Sequence, residues 1–253
     1  MHDRRSAIRM AFGATAALCP LCSVGGARAE DAKWGYDSKD GPAAWAKLSR
    51  EWRACYWGTQ QSPLDLKDTI KAELDLSIAY RPMPVRIVNN GHPIEIKCPP
   101  DSLARINGEH YHLIQYHFHR PSEHVVAGHR FDMELHLVHR HADGHLAVIG
   151  VFIRQGAANA ALQSLWSVMP TEPGDEKETG VRLDPAQLLP PNATYYRYFG
   201  SLTTPPCTED VLWTVFKEPI DASEAQINQF AQLYPDNSRP TQKLRRRFVL
   251  SSG

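Results

Sequence analysis

The sequence predicts a β-rich globular domain. Three observations carry that reading: short runs of alternating apolar and polar residues recur, Pro, Gly, Asn and Asp separate them, and helical periodicity is sparse. The runs are Val85–Val88, Ile94–Lys97, Leu113–His119, Phe131–His139, Leu146–Ile153 and Val211–Phe216. Only Ala158–Val168 and Ser223–Leu233 carry a helical pattern. Ser223 and Gln226 have the spacing of a capping box, in which each side chain accepts the other residue's backbone N–H. The stretch from Pro170 to Asn192 is rich in Pro, Gly and charge and predicts a surface loop. No repeat, low-complexity tract or linker interrupts the chain after residue 30.

A length of 253 residues fits one large domain or two small ones, and 42% hydrophobic residues permit a sizeable core. The formal net charge is +0, so no basic excess points to nucleic acid as a partner. Residues 1–29 read as an export signal: Arg4, Arg5 and Arg9 are followed by an apolar stretch from Met10 to about Val24, and Ala27-Arg28-Ala29 suits a signal peptidase. Arg4-Arg5 admits a twin-arginine route beside the general one. An uncleaved anchor is disfavoured by the short apolar stretch and Pro20. The predicted mature chain, 30–253, carries 24 basic and 27 acidic residues, a formal charge of −3, and contains no transmembrane segment. It keeps Cys55, Cys98 and Cys207. An oxidising compartment favours one disulfide and one leftover thiol, and the spacing leaves the pairing open.

Twelve histidines hint at metal or proton chemistry, and two segments sharpen the hint. In a strand, alternate side chains share a face. Gln115, His117 and His119 then point one way, with Ile114, Tyr116 and Phe118 opposite. In the later run Glu134, His136 and Val138 share a face, opposite Met133, Leu135 and Leu137. A lone His-x-His is more often an exposed polar face. Two strands that each carry a ligand and an acceptor two residues before it are harder to dismiss. If they are antiparallel neighbours, three imidazoles meet at one point, the donor set of a catalytic zinc site with an open position. Cobalt, copper and nickel also accept imidazole. Gln115 and Glu134 are placed to accept the second ring N–H of His117 and His136 and so fix their tautomers. His139 falls on the other parity and reads as structural.

At this point the chain resembles the α-carbonic anhydrases. The resemblance runs from Trp34-Gly35-Tyr36 to Arg239-Pro240-Thr241-Gln242. It includes Gln61-Ser62-Pro63-Leu64-Asp65-Leu66, Asn89-Asn90-Gly91-His92, the His117 and His136 blocks, and Ser201-Leu202-Thr203-Thr204-Pro205-Pro206. His119-Arg120-Pro121-Ser122-Glu123-His124 is similar to the bacterial, exported branch. The resemblance implies an α+β, β-dominated single domain, 30–253, with a large, mostly antiparallel central β-sheet and short peripheral helices. It implies a zinc enzyme that converts carbon dioxide and water to bicarbonate and a proton through a zinc-bound hydroxide, with esterase side activity.

Roles follow by the same resemblance. His117, His119 and His136 match the zinc ligands. Thr203 matches a gatekeeper whose hydroxyl donates to Glu123, and His92 matches the proton shuttle. Val138, Val148, Leu202 and Trp213 match the apolar wall of the substrate pocket, Thr204 a bicarbonate contact, and Tyr36 a tyrosine that orders solvent. Cys55 and Cys207 match the disulfide of exported relatives, which leaves Cys98 free. Arg120 and Glu95 depart from the family pattern at the mouth and wall of the site. The implied setting is periplasmic or secreted, and the resemblance allows a homodimer as well as a monomer.

Overall fold

The computed structural model describes residues 32–192 and 194–253. The predicted export signal lies outside the described residues. Nine strands and two helices position the site: β1 (Met83–Asn89), β2 (Ile94–Lys97), β3 (Glu109–His119), β4 (Met133–His141), β5 (Leu146–Gln155), α1 (Ala160–Trp166), β6 (Glu176–Leu183), β7 (Tyr195–Ser201), β8 (Glu209–Phe216), α2 (Glu224–Ala231) and β9 (Leu250–Ser251). They belong to one 13-stranded sheet in the order β6-β1-β2-β3-β4-β5-β8-β7-β9, closed at its far edge by the two-residue strand Ile70–Lys71.

The expected antiparallel character holds from β6 to β5 and again between β8 and β7. The sheet is nonetheless mixed. β5 runs parallel to β8 and to Ile220–Ala222, and β9 runs parallel to Ile70–Lys71. Each of the six sequence runs lies within or largely overlaps a strand. The stretch expected as a loop, 170–192, instead contains β6, antiparallel to β1 with a register shift between Glu178 and Arg182. Its composition misleads because an edge strand needs few inward apolar residues. Val181 and Leu183 pack against the core, while Glu176 pairs with Arg86 and, at 2.7 Å, with Lys97.

Alternation divides the sheet into two faces. Tyr116, Phe118, Leu135 and Leu137 are buried against Trp166 of α1 and Phe230 of α2. Val138, Val148, Phe152, Trp213 and Val215 form a second apolar cluster on the other face, beneath the site. Both helices start as their sequences require. Asn159 accepts the N–H groups of Ala161 and Leu162, and Ser223 with Gln226 closes the capping box. Lys33–Gly253 form one compact unit.

His139 is fully buried on the helix side, with Nε2 2.8 Å from the Tyr80 hydroxyl. Burial pushes its pKa down to about 4. The unfolded chain therefore takes up this proton near the ordinary histidine value, well before the folded chain does. Its contribution is complete above roughly pH 6.5 and is lost as pH falls toward 4, at a cost of about 3 kcal/mol. Urea titrations at neutral pH and near pH 4.5 should show this loss for the parent chain and a shallower pH slope for His139→Gln. Equal slopes would show that His139 does not govern the acid limb.

Candidate metal centre

The register of β3 and β4 brings the three predicted ligand residues together. His136 pairs with His117, Glu134 with His119 and Val138 with Gln115. The ring centroids of His117, His119 and His136 lie 4.6 to 5.4 Å apart, and one nitrogen from each lies within 4.8 Å of the others. The remaining nitrogen of every ring is already engaged. His117 Nδ1 donates to Gln115 Oε1 at 2.8 Å, His119 Nδ1 to the Asn237 carbonyl at 2.8 Å, and His136 Nε2 to Glu134 Oε1 at 2.8 Å. These bonds fix the tautomers and leave lone pairs on His117 Nε2, His119 Nε2 and His136 Nδ1. Burial holds the His117 and His119 rings neutral, with pKa values below the ordinary one.

Two buried atoms at this point have no hydrogen-bond partner among the described residues: His119 Nε2 and Glu123 Oε2. They lie 3.6 Å apart, and Glu123 Oε2 is 3.9 Å from His136 Nδ1. Three converging imidazole lone pairs with an unsatisfied buried nitrogen fit a divalent cation that takes nitrogen donors.

Glu134 anchors the far side. Burial alone would raise its pKa, but the adjoining His124 and His136 rings hold it well below the ordinary carboxylate value. Oε1 accepts from His136 and from His124 Nδ1 (2.7 Å), and Oε2 accepts the backbone N–H groups of Glu123 and His124 (both 2.8 Å). The chain of bonds continues from Tyr198 O–H to His124 Nε2 at 2.6 Å, with Ser62 Oγ 2.9 Å from the tyrosine hydroxyl. Gly150 lies opposite His136. A Cβ there would stand 3.1 Å from Glu134 Oε1 and 3.3 Å from Val215, so a larger residue would crowd the carboxylate off its histidine.

A cavity of about 220 Å³ opens above the histidines. His117, His136 and Gln115 meet Thr203 and Thr204 there, and Val138, Val148, Leu202 and Trp213 form its apolar side. The Trp213 indole donates to the Ser201 carbonyl at 2.9 Å, and Cys207 is bonded to Cys55, so the 201–207 loop is tied at both ends. Glu123 Oε1 accepts the Arg239 backbone N–H at 2.7 Å. Tyr36 packs edge-on against Trp34 and Trp45, and burial together with the Glu123 charge holds its phenol protonated. His92 is half-buried and stacked on Trp34 at 3.6 Å, with Nε2 donating to the Trp34 carbonyl at 2.9 Å. Arg120 folds onto the Pro235 carbonyl, and half-buried Glu95 stands opposite His117 with its pKa raised by burial.

The family model of eukaryotic-type carbonic anhydrase matches residues 40–253. The chain belongs to the α-carbonic anhydrases. It is 42% identical to a carbonic anhydrase of Nostoc over 91% of this chain and 90% of that one. It is 37% identical to one from Pectobacterium carotovorum over 86% and 90% of the two chains. The α-carbonic anhydrase of Thermovibrio ammonificans, solved in complex with the inhibitor sulfanilamide, superposes with a TM-score of 0.85. That pair is 43% identical, over 87% of this chain and 99% of that one.

Within this carbonic anhydrase, parity reasoning misplaced one residue. A register shift between Val138 and His139 leaves Ile114 as the extra residue of a bulge in β3, and Ile114 lines the cavity beside Gln115 instead of facing the helices. Arg140 and Leu146 line it too, and no motif pointed to them as site residues. Asn237 was also missed. Its carbonyl holds His119, its Oδ1 accepts from Arg120 N, and its Nδ2 donates to the carbonyls of His92 and Phe118. His124 was quoted only as part of a motif. A second histidine beside an acid that serves a first one was the available clue.

Proposed function

We propose that His117, His119 and His136 hold a zinc ion and that this centre hydrates carbon dioxide reversibly to bicarbonate and a proton. The observation that carries the reading is the outward anchoring of all three rings, which leaves three lone pairs aimed at one point at the base of a cavity with an apolar side. Zinc bound there supplies a Lewis acid that makes water nucleophilic near neutral pH.

The chain's own residues do the rest. Gln115, Glu134 and the Asn237 carbonyl orient the rings and fix which nitrogen of each faces the centre. Val138, Val148, Leu202 and Trp213 exclude water and accept a small apolar gas without hydrogen bonds. Thr203 lines the cavity and makes no hydrogen bond to Glu123 in the structure, where Glu123 Oε2 faces the histidines without a partner; the gatekeeper role has its hydroxyl donate to that oxygen and accept from a proton-bearing oxygen above the histidines, which orients its lone pair. Thr204 contacts bicarbonate, and Tyr36 orders solvent. Zinc content measured together with stopped-flow carbon dioxide hydration tests the reading. A folded, zinc-loaded chain that leaves the gas unreacted would sink it.

His92 passes the released proton to buffer, giving up the Trp34 carbonyl as it does so. His92→Ala should lower turnover in weak buffer by roughly a hundred-fold, at the low end of what a positioned proton carrier contributes, and added imidazole should restore it. Unchanged turnover in weak buffer would remove His92 from the path. The Cys55–Cys207 disulfide supports export to an oxidising compartment, the periplasm or the exterior, as the reading of residues 1–29 proposes.

A further inference from the structure

Among the described residues, five large hydrophobic side chains are exposed: Tyr56 (66%), Trp57 (71%), Ile70 (48%), Phe199 (56%) and Phe248 (69%). They lie along one strip. Tyr56 and Trp57 border a surface depression with Lys243 and Arg245. Arg245 and Arg247 border the next one with Thr59 and Gln60. Arg247 and Phe248 border a third with Phe199 and Leu250, and Leu250 pairs with Ile70. None of these residues lines the cavity above the histidines.

The strip is also basic. Lys243, Arg245 and Arg246 are exposed, and residues 237–253 contain no Asp or Glu. Arg245 and Arg246 form a turn in which Arg245 has φ +55°, a left-handed conformation more typical of glycine or asparagine. The turn is braced from within. The Arg247 guanidinium donates to the carbonyls of Leu244, Phe199, Gln61 and Lys243, which leaves the two preceding guanidiniums facing solvent. The carboxylate of nearby Glu209 is taken up by Gln60 N and Gln61 Nε2.

We propose that this strip is a contact surface for an anionic phospholipid membrane. Trp, Tyr and Phe side chains settle at the headgroup level, while Lys243, Arg245 and Arg246 face the phosphates. The charge argues against a second copy of the chain, because a two-fold contact would set the same cations against themselves. An acidic peptide would use the cations but leave Phe199 and Phe248 uncovered. Each cation contributes roughly five-fold in affinity near an anionic surface, so the attachment is reversible and weakens with salt.

Cosedimentation of the zinc-loaded chain tests this, with vesicles of phosphatidylcholine alone or containing roughly one-third phosphatidylglycerol. The readout is the ratio of variant to parent, in which any contribution from residues outside the strip cancels. Arg245→Gln with Arg246→Gln should weaken partition onto the anionic vesicles on the order of twenty-five-fold. Trp57→Ala with Phe248→Ala should weaken it at high salt, where the charges are screened. Unchanged carbon dioxide hydration in both double variants would show that they fold. Equal partition of parent and variants would overturn the proposal, as would equal binding to neutral vesicles. So would capture of a poly-glutamate peptide without vesicle binding, or a concentration-dependent dimer that Phe248→Ala abolishes.

Discussion

His136→Ala should leave a folded chain that neither retains zinc nor hydrates carbon dioxide. The ring supplies Nδ1 to the proposed site and is one of the two imidazoles that share Glu134 Oε1. Removing it deletes a donor and leaves Glu134 with His124 as its only imidazole partner. Loss of an outer hydrogen-bond partner costs metal affinity or activity about 10- to 100-fold. Glu134→Gln should fall in that band, and His136→Ala should exceed it. Metal analysis after dialysis and hydration rates on the same samples check both, with circular dichroism as the folding control. If His136→Ala kept zinc and turnover, the assignment of the three histidines would fail. If Glu134→Gln matched the parent, the four N–H groups converging on that carboxylate would be structural only.

The second large effect concerns stability. Cys55 and Cys207 are 152 positions apart in sequence. A crosslink over that span restricts the unfolded chain by about 5 kcal/mol on the chain-entropy account, and removing native disulfides costs about 2–5 kcal/mol in practice. Cys55→Ser with Cys207→Ser should therefore lower Tm by about 10 °C. The carbonyls of both cysteines remain held after the change, Cys55 O by Arg239 Nη2 and Cys207 O by Gln61 Nε2. Hydration at 25 °C should thus persist in the variant, while inactivation on heating comes earlier. A Tm shift below about 2 °C would mean that packing around Trp45 already fixes this region.

Much of the sheet was legible because β1 begins with alternating buried and exposed residues, while β4 and β5 are buried along nearly their whole length and read as short apolar runs between turn residues. β6 was not legible. Its inward apolar contacts rest on Val181 and Leu183, and its outer end carries Glu176 between Arg86 and Lys97, charges that read as loop in a linear sequence. β7 was missed as well. Tyr195–Ser201 packs through Tyr198 and the buried Arg197, and a buried arginine leaves no apolar pattern. Convergence of the three histidines followed from face parity, yet the position of Ile114 did not, since a bulge changes parity without a residue that announces it. Asn237 supports the site through its backbone carbonyl, which no side-chain motif encodes.

The last strand has a further consequence. β9 has hydrogen-bonded neighbours on both sides, β7 and the early strand Ile70–Lys71. A segment near residue 70 thus waits for one near residue 250 before it can join the sheet. The two segments can join only after both have been made, and long-range closure of this kind is slow. Deleting Leu250 and Ser251 would unhook the margin from two sides at once. The border of the sheet therefore stays open until this late pair arrives, and Leu250 and Ser251 act as its clasp.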